Sequence, residues 1–211
     1  GTTYMLPIGP GAKRDFGDDY NAFTCCHGTG MENHVKYQEA AYAKTENDLY
    51  VGLYLPSTLT WKEKGVKVVQ ETTFPSETTK LTVVSASDGQ EAPGQKADPE
   101  GTFNMKLRVP YWATKGFTVT VNGEEKMTSA EISTYVTVEN VKIGDVIEVN
   151  MPWSIHLDKT PDTLEDSTVA SIMYGPFVMA SRNSSTEWQN LTLPENLENY
   201  MKVSFNEKNG F

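Results

Sequence analysis

From Leu49 onward the chain alternates apolar and polar residues with a period of two, in short runs rich in valine and threonine. That rhythm belongs to half-buried β-strands, whose successive side chains point to opposite faces of a sheet. Branched residues suit the pleated surface. The pattern predicts strands over 49–55, 66–73, 80–85, 102–109, 118–121, 134–138, 146–151, 155–158, 169–173 and 177–181. Turn signals separate them at Ser57, Gly65, Pro75, Asp88-Gly89, Asn122-Gly123 and Gly144-Asp145. Asn122-Gly123 is the strongest, because this dipeptide accepts the left-handed backbone of a two-residue hairpin. About ten short strands at such spacing predict a β-sandwich.

Upstream the period changes. Met31, Val35 and Tyr42 share one helical face, with Gln38 an imperfect member, and predict a helix from about Gly30 to Lys44 or Thr45. Thr29 and Glu32 have the spacing of a capping box at its start. Residues 1–24, punctuated by Pro7, Gly9, Pro10, Gly11 and Gly17, predict a loop that carries Asp15, Asp18 and Asp19. The polar run 85–101 predicts a surface connection, and 153–166, with Pro161, an irregular stretch. Beyond 181 the strand rhythm fades, with 201–205 as one edge-strand candidate.

At 211 residues the chain is long enough for a substantial core, as one large or two small domains. A net charge of −10 disfavours nucleic acid and anionic membranes as partners, while neutral sugars remain compatible. No apolar run approaches the roughly 20 residues of a membrane-spanning helix. The segment at Gly1 has neither the charged nor the apolar region of a signal peptide.

The reactive chemistry concentrates in Phe23-Thr24-Cys25-Cys26-His27-Gly28-Thr29-Gly30-Met31-Glu32-Asn33-His34, which holds both cysteines and two of the three histidines. A disulfide between neighbours is geometrically poor, since their Cα atoms stand about 3.8 Å apart where ordinary disulfides want roughly 4.4–6.8 Å. Two readings stay open: a pair of buried inert thiols, or two thiolate ligands to one soft metal, zinc by default. A helix start just after the pair would favour thiolate over thiol. His27, His34 and the aspartates of 15–19 are further candidate ligands. Tyr111, Trp112, Trp153 and Trp188 could offer sugar-stacking rings, but the prolines beside Tyr111-Trp112 and Trp153 suit rings that close a sandwich core. His156 reads as structural.

This cysteine stretch, followed by Lys36-Tyr37, resembles the motif of bacterial beta-L-arabinofuranosidase-like glycoside hydrolases of families 127 and 146. The resemblance continues in Leu49-Tyr50-Val51-Gly52-Leu53-Tyr54-Leu55-Pro56-Ser57, in Leu107-Arg108-Val109-Pro110-Tyr111-Trp112, in Val119-Thr120-Val121-Asn122-Gly123 and in Tyr174-Gly175-Pro176. It implies a retaining glycosidase in which Cys25 is the nucleophile and Cys25 and Cys26 ligate zinc. A glutamate, a third cysteine and the acid/base glutamate would lie in an upstream helical barrel of the same polypeptide. The expected fold is then mainly β: a jelly-roll-like β-sandwich preceded by one short α-helix left from that barrel. Residues 1–48 would carry the cysteine loop and helix, 49–181 the sandwich, and 182–211 a tail. Alone, such a chain is expected to be inactive. Arabinose-containing glycans are the implied ligands, and the cell envelope or cytoplasm the implied compartment. Some members have prolines where this chain has His27-Gly28. The alternative is a carbohydrate-binding or purely structural β-sandwich, because a sandwich does not dictate function.

Overall fold

A computed structural model describes residues 11–13, 15–18, 20, 25–73, 75–86, 101–128, 131–164, 167–180, 184–187, 192, 194 and 197–202, with backbone alone at 25–27, 160, 162–164 and 167. The chain divides into two compact units, Lys36–Trp153 and Gly1–Val35 with Ser154–Phe211.

The first helix, α1, spans Cys25–Ala41. It begins earlier than expected. Gly28 and Gly30, read as turn residues, lie within it, and Thr29 and Glu32, read as a capping box at the helix start, are interior positions. Each glycine costs such a helix only about 1 kcal/mol relative to alanine, which the longer run can absorb. The helix also ends sooner. Tyr42–Lys44 forms β1, which pairs antiparallel with β2, Asp48–Val51. The chain turns back tightly enough that the Gly52 N–H donates to the Ala41 carbonyl at 2.9 Å. A Cβ on Gly52 would stand 2.7 Å from the Ala40 carbonyl oxygen, so the turn needs glycine there.

The next strands are β3 (Ser57–Trp61), β4 (Val66–Glu71), β5 (Thr78–Ser85), β6 (Phe103–Val109), β7 (Thr118–Val121), β8 (Glu124–Thr128), β9 (Thr134–Val141) and β10 (Val146–Asn150). They form a four-stranded sheet in the order β1-β2-β6-β9 and a six-stranded sheet in the order β3-β4-β5-β10-β7-β8. The β2–β6 pair is parallel, and every other pair in these two sheets is antiparallel. β3 replaces the turn expected at Ser57; as an edge strand it is short and half polar, so its alternation is weak. The expected hairpin is present: Asn122 and Gly123 take φ of 53° and 82° between β7 and β8. The Asn122 amide donates to Asp145 Oδ1 at 2.9 Å, and its oxygen accepts from the Val146 N–H at 2.9 Å.

Inward residues from both sheets build one core. Leu49, Val51, Met105 and Leu107 come from the four-stranded sheet, and Val68, Leu81, Val119 and Ile147 from the six-stranded one, all fully buried. Two sheets sharing one core make this unit a β-sandwich. A polar cluster inside it is satisfied: Tyr42 Oη donates to Gln70 Oε1 at 2.9 Å, and Gln70 Nε2 donates to Thr79 Oγ1 at 3.3 Å. Trp153 is buried, and Trp112 packs at the core margin, so neither is a free sugar platform.

In the other unit β11 (Ile155–Leu164), β12 (Ser167–Tyr174) and β13 (Phe177–Val178) form a three-stranded antiparallel sheet. The stretch expected to be irregular at Pro161 is strand on both sides of it. The pairing shifts register between Lys159 and Thr163, the kind of bulge at which a strand accommodates proline. Leu197–Asn199 is a short 3-10 turn. The connection over 87–100, Asp19, Trp188 and the stretch 203–205 lie outside the described residues. Among the described residues no helix is long and apolar enough to cross a membrane.

Candidate active site

Cys25 and Cys26 are the first two residues of α1, whose 17 residues run without interruption to Ala41. The first four N–H groups of a helix have no partner within it, and the aligned peptide dipoles leave partial positive charge there. No acidic residue stands in the first turn to offset it. A helix start of this kind is a setting in which thiolates are in general favoured over thiols, and the side chains of Cys25, Cys26 and His27 lie outside the described residues. The positions one turn on from the two cysteines are Gly28, Thr29 and Gly30. Further along, Lys36 and Glu39 pair at 3.0 Å on the solvent side, and Met31, Val35 and Tyr37 are exposed.

Two vicinal thiolates have the soft donor chemistry that zinc selects, and they amount to half of a tetrahedral set. His34 does not complete it on the same helix. It stands ~12 Å along the axis from Cys26 at 1.5 Å per residue, against zinc bonds of roughly 2.0–2.3 Å. Among the described residues no group of three or more histidines, cysteines, aspartates and glutamates is placed to hold a metal ion. The donor types of the pair thus fit zinc.

A second concentration of functional groups lies in the sandwich, where two of the sequence motifs meet. Parallel pairing sets Val51 opposite Leu107. That brings Tyr54 to β6, where its hydroxyl donates to the Arg108 carbonyl at 2.6 Å. The Arg108 guanidinium reaches back toward the Gly52 carbonyl at 3.4 Å. Burial pushes the Tyr54 phenol well above its ordinary value; the Arg108 charge opposes the rise and Tyr135 adds to it. An unfolded chain ionises this tyrosine near pH 10 while the folded chain keeps it neutral. Its contribution to stability is therefore full below pH ~10 and is lost as pH rises toward the folded value. Alkaline unfolding should steepen by about 1.4 kcal/mol per pH unit above pH ~10. Tyr54→Phe should flatten that limb of a urea-unfolding series, and an unchanged slope would place the alkaline sensitivity elsewhere.

On the outer side of the six-stranded sheet a shallow groove of about 340 Å³ is lined by threonines, Asn150 and the charged trio Glu71, Lys80 and Glu148. Lys80 Nζ pairs with Glu71 at 2.6 Å, and that hydrogen bond, with Glu148 beyond, raises the lysine pKa. The charges satisfy one another, as on an ordinary solvated sheet face.

Residues 48–153 match the family model "Beta-L-arabinofuranosidase, GH127 middle domain". The chain belongs to this family. The GH127 match runs through the sandwich, nearly coincident with the Lys36–Trp153 unit, and begins after Cys25 and Cys26. Among solved structures, one titled "Glycoside hydrolase" aligns at 28% identity and a TM-score of 0.59, over 76% of this chain and 26% of its own. A GH127 beta-L-arabinofuranosidase from Geobacillus stearothermophilus T6 aligns at 24% identity and TM-score 0.55, over 73% of this chain and 23% of its own. Another GH127 beta-arabinofuranosidase gives 24% identity and TM-score 0.56, over 73% and 25%. The chain thus spans about a quarter of the length of each. No curated protein sequence matches.

Cys25 and Cys26 are candidates from the sequence, and the structure adds only that they open α1. Tyr50, Tyr54 and Tyr135 were not singled out as functional, because tyrosine in a strand is ordinary. The one available signal was that Tyr54 and Arg108 fall within two separate motifs of the same family.

Proposed function

We propose that this chain is part of a retaining glycoside hydrolase acting on L-arabinofuranosides, with the Cys25 thiolate as nucleophile and Cys25 and Cys26 as zinc ligands. The observation that carries the reading is the GH127 match over residues 48–153. The cysteine pair at the unopposed positive end of α1 supports the choice of nucleophile. An upstream helical domain of the same polypeptide supplies the remaining ligands and the general acid. The Cys25 sulfur attacks the anomeric carbon as the glycosidic C–O bond breaks, and the leaving alcohol takes a proton from the general acid. Water then attacks the same carbon while giving a proton back to the now deprotonated general acid, the C–S bond breaks to return the Cys25 thiolate, and the sugar leaves with its configuration retained. Bound zinc supplies positive charge that keeps both thiols deprotonated near neutral pH. Cys26 holds no bond to the sugar in this scheme; it orients its neighbour.

Native mass spectrometry tests the metal half of this reading. The polypeptide comprising this chain and its upstream domain should carry one zinc that is lost in a Cys25→Ser/Cys26→Ser variant. Zinc that persists in that variant, or is absent from the unaltered protein, would sink the ligand assignment.

A second reading, a carbohydrate-binding or structural sandwich without chemistry of its own, draws on a specific observation. The matched segment has a complete core and begins after the cysteines.

A further inference from the structure

The helix that opens on Cys25 is fastened at its other end to the sandwich. Its last carbonyl, on Ala41, accepts from the Gly52 N–H at 2.9 Å and from the Leu53 N–H at 3.4 Å, just beyond β2. Carbonyls at a helix end have no partner within the helix, and these two amides supply one. The fit leaves no slack. A Cβ on Gly52 would stand 2.7 Å from the Ala40 carbonyl oxygen and 3.6 Å from that of Ala41. Both are backbone atoms, so what would have to give way is the helix end itself. The next residue, Tyr42, adds a second tie. Its hydroxyl crosses from β1 to the six-stranded sheet, where it donates to Gln70 Oε1 on β4 at 2.9 Å and stands 2.8 Å from Ser57 Oγ on β3. The end of α1 is thus held to both sheets.

We propose that Gly52, with Tyr42 beside it, is a positioning residue for Cys25, so that the sandwich serves the chemistry as the mount of α1. This assignment rests on the nucleophile proposed above. The argument is one of leverage. The helix is 17 residues long, so its first residue stands ~24 Å along the axis from Ala41 at 1.5 Å per residue. A methyl group on Gly52 would drive the Ala40 carbonyl back by about 0.6 Å, to the roughly 3.3 Å of a close carbon–oxygen contact. Taken up over one turn of 5.4 Å, that retreat tilts the axis by about 6° and displaces the Cys25 backbone by roughly 2–3 Å. A misplacement of about 1 Å at a reacting group is enough to cost on the order of 100-fold in rate. Gly52 therefore acts through the helix and touches no substrate. The Tyr42 hydroxyl is the weaker tie, because its ring stays packed against the core when the hydroxyl is removed.

Steady-state kinetics on a chromogenic L-arabinofuranoside test it, in the polypeptide that joins this chain to its upstream domain. Gly52→Ala, Tyr42→Phe, Gly123→Ala and Cys25→Ser are compared, and circular dichroism confirms that each folds. Gly123→Ala controls for a general loss of stability: at φ 82° a side chain is strained, yet a Cβ there meets nothing within 4 Å. In Gly52→Ala, kcat and kcat/KM should fall together by roughly 10- to 100-fold, as when only the transition state loses an interaction. Tyr42→Phe should lose about two- to fivefold, and Gly123→Ala should keep the unaltered kcat. A fall in Gly52→Ala alone supports Gly52 and removes Tyr42 from the assignment. If Gly52→Ala does not fold, Tyr42→Phe, which lacks a single hydroxyl, decides. With Cys25→Ser inactive, an unaltered kcat in folded Gly52→Ala, or an equal loss in Gly123→Ala, overturns this assignment alone. Full turnover in Cys25→Ser, or none in the unaltered polypeptide, overturns the nucleophile and this assignment with it.

Discussion

Replacing Cys25 by serine, in the polypeptide that joins this chain to its upstream domain, should reduce L-arabinose release by on the order of 10⁴-fold or more. The substitution exchanges one atom and leaves the side chain nearly the same size. What changes is acidity. A thiol at a helix N-terminus is readily deprotonated, whereas a serine hydroxyl there stays protonated at neutral pH and attacks weakly. Folding should be unaffected, because the exchange is nearly isosteric and Cys25 precedes the segment that forms the two-sheet sandwich. Far-UV circular dichroism should be unchanged, and the unfolding midpoint should move by less than about 3 °C. Mass spectrometry of the unaltered protein quenched during turnover should find a pentosyl adduct on the peptide containing Cys25. Turnover at the unaltered rate in Cys25→Ser would remove the cysteine nucleophile from consideration.

The largest effect on stability is expected at Phe103. This side chain is 2% exposed, opens β6, and packs edge to face on Trp61 at 5.4 Å. Trp61 ends β3 in the opposite sheet, so the pair ties the two layers together. Phe103→Ala removes the ring and leaves a void that close-packed neighbours fill only in part, costing about 3–5 kcal/mol. Against a typical net stability of about 5–15 kcal/mol, that should lower the unfolding midpoint by roughly 6–20 °C. Ile143, 48% exposed, serves as the comparison: Ile143→Ala should stay within about 0.5 kcal/mol. Chemical unfolding of both variants decides the matter. Equal losses would mean that the sheets do not share the core described here.

The fold was largely legible because alternation is a local property. Val66, Val68 and Gln70 point inward from β4, while Lys67, Val69 and Glu71 do not, as a period of two requires. The Asn122-Gly123 turn was equally plain, since few dipeptides accept two successive positive φ angles. The misreadings share a cause. β1 and β3 are short edge strands whose partners supply most of the reason to be extended, so propensity alone is a weak guide. Gly28 and Gly30 were read as turn residues, yet the helix they interrupt is long enough to carry them. The stretch 153–166, with Pro161, was read as irregular, yet β11 passes the proline with a register shift.

For the candidate site, the cysteine pair, its neighbouring glycines and the acidic balance of the chain are properties of the residues themselves, and no folding is needed to see them. Three things required the tertiary structure. Cys25 and Cys26 sit inside the first turn of α1, where the free N–H groups are, and not in a loop ahead of it. The parallel pairing of β2 with β6 joins segments more than fifty residues apart, and it alone brings Tyr54 to Arg108. The same pairing, with β9 beside it, gathers Tyr50, Lys106, Arg108 and Tyr135 on one outer face. The period of a strand says which residues share a face of that strand; which strands lie side by side, and in what register, is set by burial of the whole core.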